Sequence, residues 1–334
     1  MMMHRVGVSL PVMEELTARD HVRLAIAAEE EGFHTLFVGE VAGPEAFSLL
    51  GAIAASTSHI RLATGIVSVV LRSPALLAMG FRTLDSLAPG RVIAGLGVGS
   101  AAISEGWHGI PFTDTARILE ETVEVLRPAL AGERLTYEGL RTRADRFRVT
   151  LPDPRPMPVW IGALTPAGLR LAGRIADGVL MSFCPQAEAQ RRVEIVQRSA
   201  SEVGKDRIEI ASSVNAYAGP NIDAARARMK RLIAQYAVQP THSPPFRSVF
   251  PDLDDAAAAW HSGDRKRALD LVPDAAVDEV TPVGDAAAIV DLLEGLRSRG
   301  VDLPVLFPNT LAFGDVDSSE GTIRRVAAEL RSRS

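Results

Sequence analysis

The segment IRLATGIVSVVLRSPALLAMGFRTLDSLAPGRVIAGLGVG, residues 60–99, decides the fold. It begins with a β-branched run, Ile60–Val70, and ends with a second apolar run, Arg91–Val98. Between them lies the amphipathic stretch Pro74–Leu87, which opens with a proline that the first turn of a helix tolerates. A strand, a helix and a strand in this order predict two parallel strands joined by a right-handed crossover.

The same strand-then-helix unit recurs along the chain. The predicted strands are His4–Leu10, Thr35–Gly39, Ile60–Val70, Arg91–Val98, Pro158–Gly162, Gly178–Ser182, Arg207–Ala216 and Leu303–Phe307. Eight such units favour an α/β fold of the (β/α)8 TIM barrel type with insertions. The competing interpretation is a doubly wound sheet in two domains. No composition shift typical of a linker divides the chain, so we expect one domain over residues 1–334.

Two excursions interrupt the alternation. Residues 133–156 carry two short strand-like runs around polar, glycine-containing sequence, which indicates a hairpin. Residues 238–281 begin rich in proline and then become helical in pattern. Both segments are expected to be additions to the barrel.

Composition excludes several classes of function. Hydrophobic residues make up 47% of the 334 residues and the net charge is −5, so a large core is expected and nucleic acid is not an expected partner. The single cysteine, Cys184, is expected to be buried and excludes an internal disulfide, which fits the cytoplasm. No signal peptide or membrane-spanning run is found, so no membrane partner is expected. Metal and serine-hydrolase motifs are absent, so no metal site is predicted.

Two glycine-containing segments are candidate ligand loops at the carboxyl ends of strands. Gly95, Gly97 and Gly99 alternate along the fourth strand, and either a flat ligand approaches the backbone there or the barrel packs tightly. Their spacing does not match the dinucleotide-binding fingerprint. The turn Gly162–Thr165 precedes a helix capped by Thr165, so it is either an anion site or an ordinary helix cap.

Three further side chains are candidates for chemistry or for the pocket. Glu40 follows the second strand and could bind substrate or transfer a proton, although a solvated loop charge is the alternative. Trp107 and His108 are placed in the loop after the fourth strand, where they either line a pocket or lie on the surface.

Five segments together resemble the luciferase-like monooxygenase family. They are Leu24–Val38, Ile60–Pro74, Ala78–Gly99, Pro158–Gly178 and Trp260–Ala268. Within that family they are most similar to the branch that uses the deazaflavin coenzyme F420, as in methylenetetrahydromethanopterin reductases. The resemblance runs from the first strand to the final helix, and it implies a luciferase-like barrel, a cytoplasmic enzyme and a homodimer.

The resemblance also implies roles for individual residues. The third strand would carry a non-proline cis peptide bond at Gly65–Ile66 that supports the cofactor ring. Val98–Ser100, next to Gly97, match positions that touch the ring or its ribityl chain, and Met181 matches a position near that chain. The turn Gly162–Thr165, which includes Ala163 and Leu164, matches the phosphate-binding turn.

The sequence departs from the family's pattern at two places. Several relatives have a catalytic histidine where this chain has Glu40 and Val41, and many have an acid where this chain has Ser100. The proton donor of relatives therefore has no counterpart here. Glu40 is left as the one ionisable candidate, and Val41, Trp107 and His108 are assigned to the substrate pocket.

Three functions remain open at this point. The leading hypothesis is an F420-dependent oxidoreductase that transfers a hydride between the deazaflavin and a small organic substrate. The second is a monooxygenase that uses FMN on the same fold. The third is a barrel that binds a flavin without turnover. The apolar face of Pro74–Leu87 is a candidate for the dimer contact.

Overall fold

The predicted barrel closes through a continuous ring of parallel strand pairings. The structure is a computed structural model that describes residues 5–239, 246, 247 and 249–333. The ring follows the order β1 (Gly7–Ser9), β2 (Thr35–Val38), β3 (Arg61–Thr64), β5 (Val92–Gly97), β8 (Val159–Gly162), β9 (Gly178–Ser182), β10 (Glu209–Ala218) and β12 (Leu303–Pro308). Strand β12 then pairs with β1, which confirms the (β/α)8 barrel. The predicted first strand begins at His4, which lies outside the described residues.

Helices surround the ring, and four short strands lie outside it or extend it. The helices are α1 (Ala18–Glu30), α2 (Ala46–Ser56), α3 (Pro74–Leu87), α4 (Ala101–His108), α5 (Thr115–Leu130), α6 (Pro166–Ile175), α7 (Gln186–Ser201), α8 (Ile222–Ala237), α9 (Leu253–His261), α10 (Arg265–Asp270), α11 (Asp274–Val280), α12 (Ala286–Ser298) and α13 (Val316–Ser332). The further strands are β4 (Val67–Ser68), β6 (Leu135–Glu138), β7 (Arg143–Phe147) and β11 (Val283–Gly284). No described helix is both long enough and apolar enough to cross a membrane.

The third barrel strand is interrupted, which corrects the single run expected over Ile60–Val70. Strand β3 ends at Thr64, and β4 resumes at Val67 on the same neighbour, β5. The peptide bond between Gly65 and Ile66 is cis, as the family resemblance implies. The interruption therefore lies at the carboxyl end of the strand.

The barrel interior is filled by side chains up to the level of the third strand's interruption. Its members are Phe37, Ala63, Ile93, Trp160, Leu180, Ala211, Leu303 and Val305. Trp160 occupies so much of this layer that a Cβ atom on Gly178 would lie 2.6 Å from its ring atom Cδ2. The interior is a packed core, so a ligand can enter only above it.

Both excursions have regular structure. Strands β6 and β7 form the predicted antiparallel hairpin. In the second excursion, α9 to α11 pack against α8 around a separate apolar cluster that includes Phe183 from the end of β9. Residues 240–245 and 248 of this excursion lie outside the described residues. The cluster places the second excursion beside the carboxyl ends of β9 and β10.

Candidate functional site

The carboxyl ends of the strands form an accessible mouth above the filled interior. Side chains alternate along each strand, so residues two positions beyond the buried layer face the same interior. At that level Ile66, Gly162, Ser182 and Phe307 are partly accessible, whereas Trp160 below them is 2% exposed. The mouth is therefore a concavity above a solid core, which is where enzymes of this architecture carry their active sites.

One half of the mouth is apolar because Ile66 covers the glycines of β5 and β8. A Cβ atom on Gly97 would lie 2.7 Å from Cγ1 of Ile66, and one on Gly162 would lie 3.0 Å from its Cγ2. At these two positions packing against Ile66 accounts for glycine, which is the alternative to a ligand approach considered from the sequence, and the cofactor contact of Gly97 stays a prediction. The surface left for a ligand is the partly accessible side chain of Ile66 itself.

The other half of the mouth presents neutral polar groups. Counted by twos from the buried layer, its inward-facing positions are the partly accessible Ser182 on β9 and the buried Ser213 and Asn215 on β10, with the buried Asn309 directly after β12. The Asn309 side-chain amide donates hydrogen bonds to Oδ1 of Asn215 at 3.2 Å and to the carbonyl of Phe307 at 3.2 Å. Hydroxyl and amide groups in this layer can bind the polar edge of a flat ring or the oxygen of a substrate.

The end of β5 presents backbone and a free cap at the rim. Ser68 donates its hydroxyl to the carbonyl of Val98 at 3.1 Å, which fixes β4 against β5. Gly99 adopts a φ of 75°, a conformation that glycine allows without strain. Ser100 is the N-cap of α4, and its side chain makes no capping hydrogen bond. Val98, Gly99 and Ser100 are thus accessible beside the apolar half, as their predicted role requires.

The turn between β8 and α6 is an exposed helix start that is capped by Thr165. The amide of Ala163 donates to the carbonyl of Leu180. The Thr165 hydroxyl accepts a hydrogen bond from the amide of Gly168 at 3.1 Å. Thr165 and Ala167 are exposed, so the start of the helix is open to solvent. Amides of a first helical turn, together with the helix dipole, favour negative charge at this position.

The predicted contact of Met181 is wrong. Inward-facing positions of β9 are Leu180 and Ser182, so the side chain of Met181 points outward. It is 0% exposed and belongs to the core between barrel and helices. Ser182, which was not a candidate, occupies the place at the mouth, and the two-residue period of the strand was the signal that could have identified it.

Glu40 is not the solvated loop charge considered as its alternative. Both guanidinium nitrogens of Arg72 donate to its two carboxylate oxygens, with Nη2 to Oε1 at 2.7 Å. The amide of Ala46, the first residue of α2, donates to the same Oε1 at 3.1 Å. Hydrogen bonding to Glu40 raises the pKa of Arg72. The carboxylate is thus fixed by hydrogen bonds from Arg72 and from the start of α2.

A second ion pair links α8 to the loops that follow β1 and β12. Arg228 of α8 pairs with Glu14 after β1, and Thr310 after β12 donates its hydroxyl to Glu14 at 2.5 Å. The guanidinium of Arg228 also lies 4.7 Å from the ring centre of Phe313. Burial lowers the pKa of Arg228. Sequence patterns did not identify this network, because its members are more than 80 residues apart.

Trp107 and His108 do not lie in a loop. They are the last two residues of α4 (Ala101–His108), which is capped by Ser100 and by Gly109 with a φ of 65°. Trp107 is 57% exposed, and His108 is exposed as well. The predicted loop position is wrong, because Ser100 and Gly109 act as ordinary helix start and stop signals. Val41 is also exposed, at 38%, in the loop after β2.

Cys184 is buried, and burial raises the pKa of its thiol to about 11. At neutral pH it is therefore a thiol and not a nucleophilic thiolate. Within the described residues, no three His, Cys, Asp or Glu side chains are placed to bind a metal ion together.

Comparison with known proteins matches residues 1–303 to the family model described as luciferase-like monooxygenase. A Mycobacterium tuberculosis protein whose name assigns it to the coenzyme F420-dependent oxidoreductases is 28% identical over 327 residues, covering 90% of this chain and 94% of that protein. An F420-dependent glucose-6-phosphate dehydrogenase of Nakamurella multipartita is 36% identical over 171 residues, which is 47% of this chain and 50% of the relative.

Solved structures share the architecture across the whole chain. The coenzyme F420-dependent tetrahydromethanopterin reductase from Methanopyrus kandleri superposes with a TM-score of 0.83, covers 99% of each chain and is 24% identical. At that identity the likeness establishes a shared fold.

Proposed function

The chain belongs to the luciferase-like monooxygenase family, and from this premise we propose that it is an oxidoreductase that uses coenzyme F420 to transfer a hydride to or from a small organic substrate. Of the two relatives named above as F420-dependent, the one from Mycobacterium tuberculosis matches 90% of this chain and the one from Nakamurella multipartita matches 47% of it. The observation that carries the proposal is the two-sided mouth: the partly accessible side chain of Ile66 forms an apolar side, neutral polar groups form the other, and the exposed first turn of α6 lies next to β8.

The residues of the mouth fit a deazaflavin in shape and polarity. The ring of this cofactor is flat and apolar on its faces and has a polar edge of carbonyl and N–H groups. The side chain of Ile66 would offer an apolar surface for one face, and the partly accessible Ser182 would offer a hydroxyl, backed by the buried amide pair of Asn215 and Asn309. Val98, Gly99 and Ser100 lie at the rim, next to the place where the ribityl chain would leave the ring.

The tail of the cofactor fits the turn before α6. F420 carries a phosphate beyond its ribityl chain, and the exposed first turn of α6 is placed to bind it through backbone amides. Ala163 and Leu164 would shape this turn. FMN also has a phosphate after its ribityl chain, so the turn alone does not separate the two cofactors. The F420-dependent relatives are the reason for preferring the deazaflavin.

The chain's own contribution to the reaction is position and exclusion of water. F420 supplies the hydride chemistry when bound. Ile66 would support one face of the ring, and the substrate would approach the other face. The rings of Phe183, Tyr236 and Phe246 pack together in the second excursion, which lies beside the carboxyl end of β9 and would help to exclude water. Holding the reacting carbon atoms together in a dry site is the main source of rate that this arrangement offers.

A turnover assay tests the proposed function. Reduced F420 should be reoxidised, with recovery of its absorbance, when the protein is given a suitable carbonyl or unsaturated substrate under nitrogen. Oxygen consumption with reduced FMN, and not with reduced F420, would instead identify a monooxygenase. Binding of F420 without reoxidation by any member of a broad substrate panel would support a non-catalytic barrel.

Glu40 has a positioning role in this proposal. Its pairing with Arg72 ties the loop after β2 to the segment after β4, and its bond to the amide of Ala46 fixes the start of α2. We therefore expect Glu40→Gln to slow turnover by less than about tenfold and to leave its pH profile unchanged, because removal of a true general acid costs roughly 10²- to 10⁴-fold.

Arg72→Met is the matched partner for this test, since it breaks the same pair from the other side. Similar effects of the two single substitutions, with little further loss in the double variant, would fit a shared positioning role. If Glu40→Gln alone slowed turnover by about 100-fold or more and removed one limb of the pH profile, Glu40 would be the proton donor.

We also propose that the protein is a homodimer through α3. Leu76, Met79 and Leu87 are 52%, 50% and 52% exposed on this helix, whereas Leu77 and Phe81 face the core. A row of large apolar side chains on one exposed helix face is typical of a protein contact. The isologous contact of a twofold dimer would cover the same row on both chains.

The double substitution Leu76→Glu/Met79→Glu is expected to convert the dimer to a monomer, because it places repelling charges on both sides of the contact. Light scattering after size exclusion measures the mass directly. Leu140→Glu is the control, since Leu140 is 75% exposed on the β6–β7 turn and should not affect assembly. A monomeric wild type, or a double variant that remains dimeric, would contradict the proposed contact.

A further inference from the structure

Arg192 carries a buried charge that no described side chain or carbonyl neutralises. It lies in α7 and is 2% exposed, and its Nη1 and Nη2 atoms find no hydrogen-bond partner among the described residues. Its neighbour Arg191 differs in exposure and in pairing, since it is exposed and forms an ion pair with Glu188. An unpaired buried guanidinium destabilises a fold unless an anion binds it.

The side chain of Arg192 lies on the face of α7 that packs against α6. Val196 and Ser199 follow it at four and seven positions, so the three residues form one stripe along the helix. This stripe touches α6, because a Cβ atom on Gly173 would lie 2.5 Å from the carbonyl oxygen of Val196 and 3.0 Å from Cβ of Ser199. Arg192 is therefore at the boundary between the two helices.

Along the direction of the two helices, Arg192 lies level with the first turn of α6. Both helices follow neighbouring parallel strands and so run in the same direction. Arg192 precedes the contact with Gly173 by four to seven residues, about 6–10 Å, and the same distance along α6 leads back to residues 166–169. Helical side chains lean toward the N-terminus of their helix. The guanidinium thus points toward the turn Gly162–Thr165.

The end of β9 gives a second indication of where the guanidinium lies. Burial raises the pKa of the Cys184 thiol, and among the charges around this thiol Arg192 opposes that rise most. Cys184 follows β9 directly, and β9 pairs with β8 beside the turn before α6. The positive charge is therefore near the ends of both strands.

We propose that Arg192 binds the phosphate of the cofactor from the buried side, while the first amides of α6 bind it from the exposed side. This inference rests on the proposed function and adds to it a phosphate-binding residue from a different helix. Two guanidinium nitrogens without other partners match two phosphate oxygens. The charge remains unpaired in the free protein, and cofactor binding neutralises it.

Paired titrations separate the phosphate contact from the rest of the cofactor. Wild type, Arg192→Met and Arg191→Met are titrated by fluorescence with F420 and with the deazaflavin riboside that lacks the phosphate. Arg192→Met is expected to weaken F420 binding by about 10- to 100-fold and to leave riboside binding unchanged. Arg191→Met, which removes the same charge from an exposed position, should bind both as wild type does.

Stability without cofactor gives an independent readout. Arg192→Met should be at least as resistant to urea as wild type, because it removes an unpaired buried charge and keeps an apolar stem. If Arg192 were paired inside the protein, the same substitution would lower stability and leave the ratio of the two affinities unchanged, which would overturn the inference. Arg192→Lys keeps the positive charge but loses the two-pronged guanidinium, so it should lose part of the F420 affinity. This variant tests the inference even if Arg192→Met does not fold.

The outcomes also separate this inference from the proposed function. F420 binding by wild type that Arg192→Met leaves unchanged overturns the role of Arg192 and leaves the proposed function intact. Equal losses of F420 and riboside affinity make Arg192 a structural residue and overturn the inference as well. Wild-type protein that binds neither F420 nor FMN overturns both. For the FMN alternative, the same comparison uses FMN and riboflavin.

Discussion

Gly95→Ala is expected to lose about 4 kcal/mol or more of folding free energy, enough to unfold most domains. The reason is the approach of β3 to β5. A Cβ atom at position 95 would overlap the carbonyl oxygen of Thr64 and lie 2.9 Å from its carbonyl carbon. The obstacle is backbone inside a closed barrel, so it cannot rotate away as a side chain would.

The surrounding hydrogen bonds tighten this constraint. The Thr64 hydroxyl donates to the carbonyl of Gly95 at 2.6 Å and accepts from its amide at 2.9 Å. Separating the strands would break both buried bonds. Urea unfolding followed by circular dichroism measures the effect.

Gly106→Ala provides the control for this prediction. Gly106 lies in α4, and a Cβ atom there would meet nothing within 4 Å. Alanine in a helix is favoured over glycine, so stability should be unchanged or rise by roughly 0.5–1 kcal/mol. A Gly95→Ala variant as stable as wild type would contradict the close approach of these strands.

Leu164→Asp is expected to weaken F420 binding by about 100-fold or more while the fold is kept. Leu164 is partly exposed in the turn just before α6. A carboxylate there would repel the phosphate over a few ångströms, about 3 kcal/mol at an intermediate effective dielectric constant. The same charge is favourable for the helix itself, because it lies near the positive end of the helix dipole.

Leu164→Asn is the matched control, since it has the same size as aspartate and no charge. It should lose much less affinity than the aspartate variant, and the difference between the two should shrink as salt concentration rises. Both are followed by fluorescence titration, with thermal unfolding of the free protein alongside. Equal affinities of the two variants would contradict a phosphate at this turn.

The barrel was predictable because its signals are local and repeated. Each strand-helix unit, such as Ile60–Leu87, carries its own periodicity, and eight units leave few alternatives. The turn Gly162–Thr165 was predictable for the same reason, since Thr165 and Pro166 are a helix start that can be identified from neighbours in the chain. The cis bond at Gly65–Ile66 came from family resemblance and not from any local pattern.

The contacts that could not be predicted from the sequence join residues far apart in the chain. Glu40 and Arg72 are 32 residues apart in the chain, and no periodic pattern in the sequence predicts their ion pair. The packing of Gly97 and Gly162 against Ile66 could not be predicted either, because nothing in the chain shows that Ile66 crosses over both strands. Met181 is different, since the alternation of β9 already placed Ser182 and not Met181 inside the barrel.

The most direct test of the central claim is equilibrium titration of the purified protein with F420 and with FMN, followed by the fluorescence of each cofactor. The account predicts saturable binding of one F420 per chain, well below millimolar concentration and more tightly than FMN. It further predicts that free inorganic phosphate competes weakly, through the turn before α6. Failure of both cofactors to bind at millimolar concentration would contradict a site that holds the cofactor ring against Ile66 and the phosphate at the start of α6.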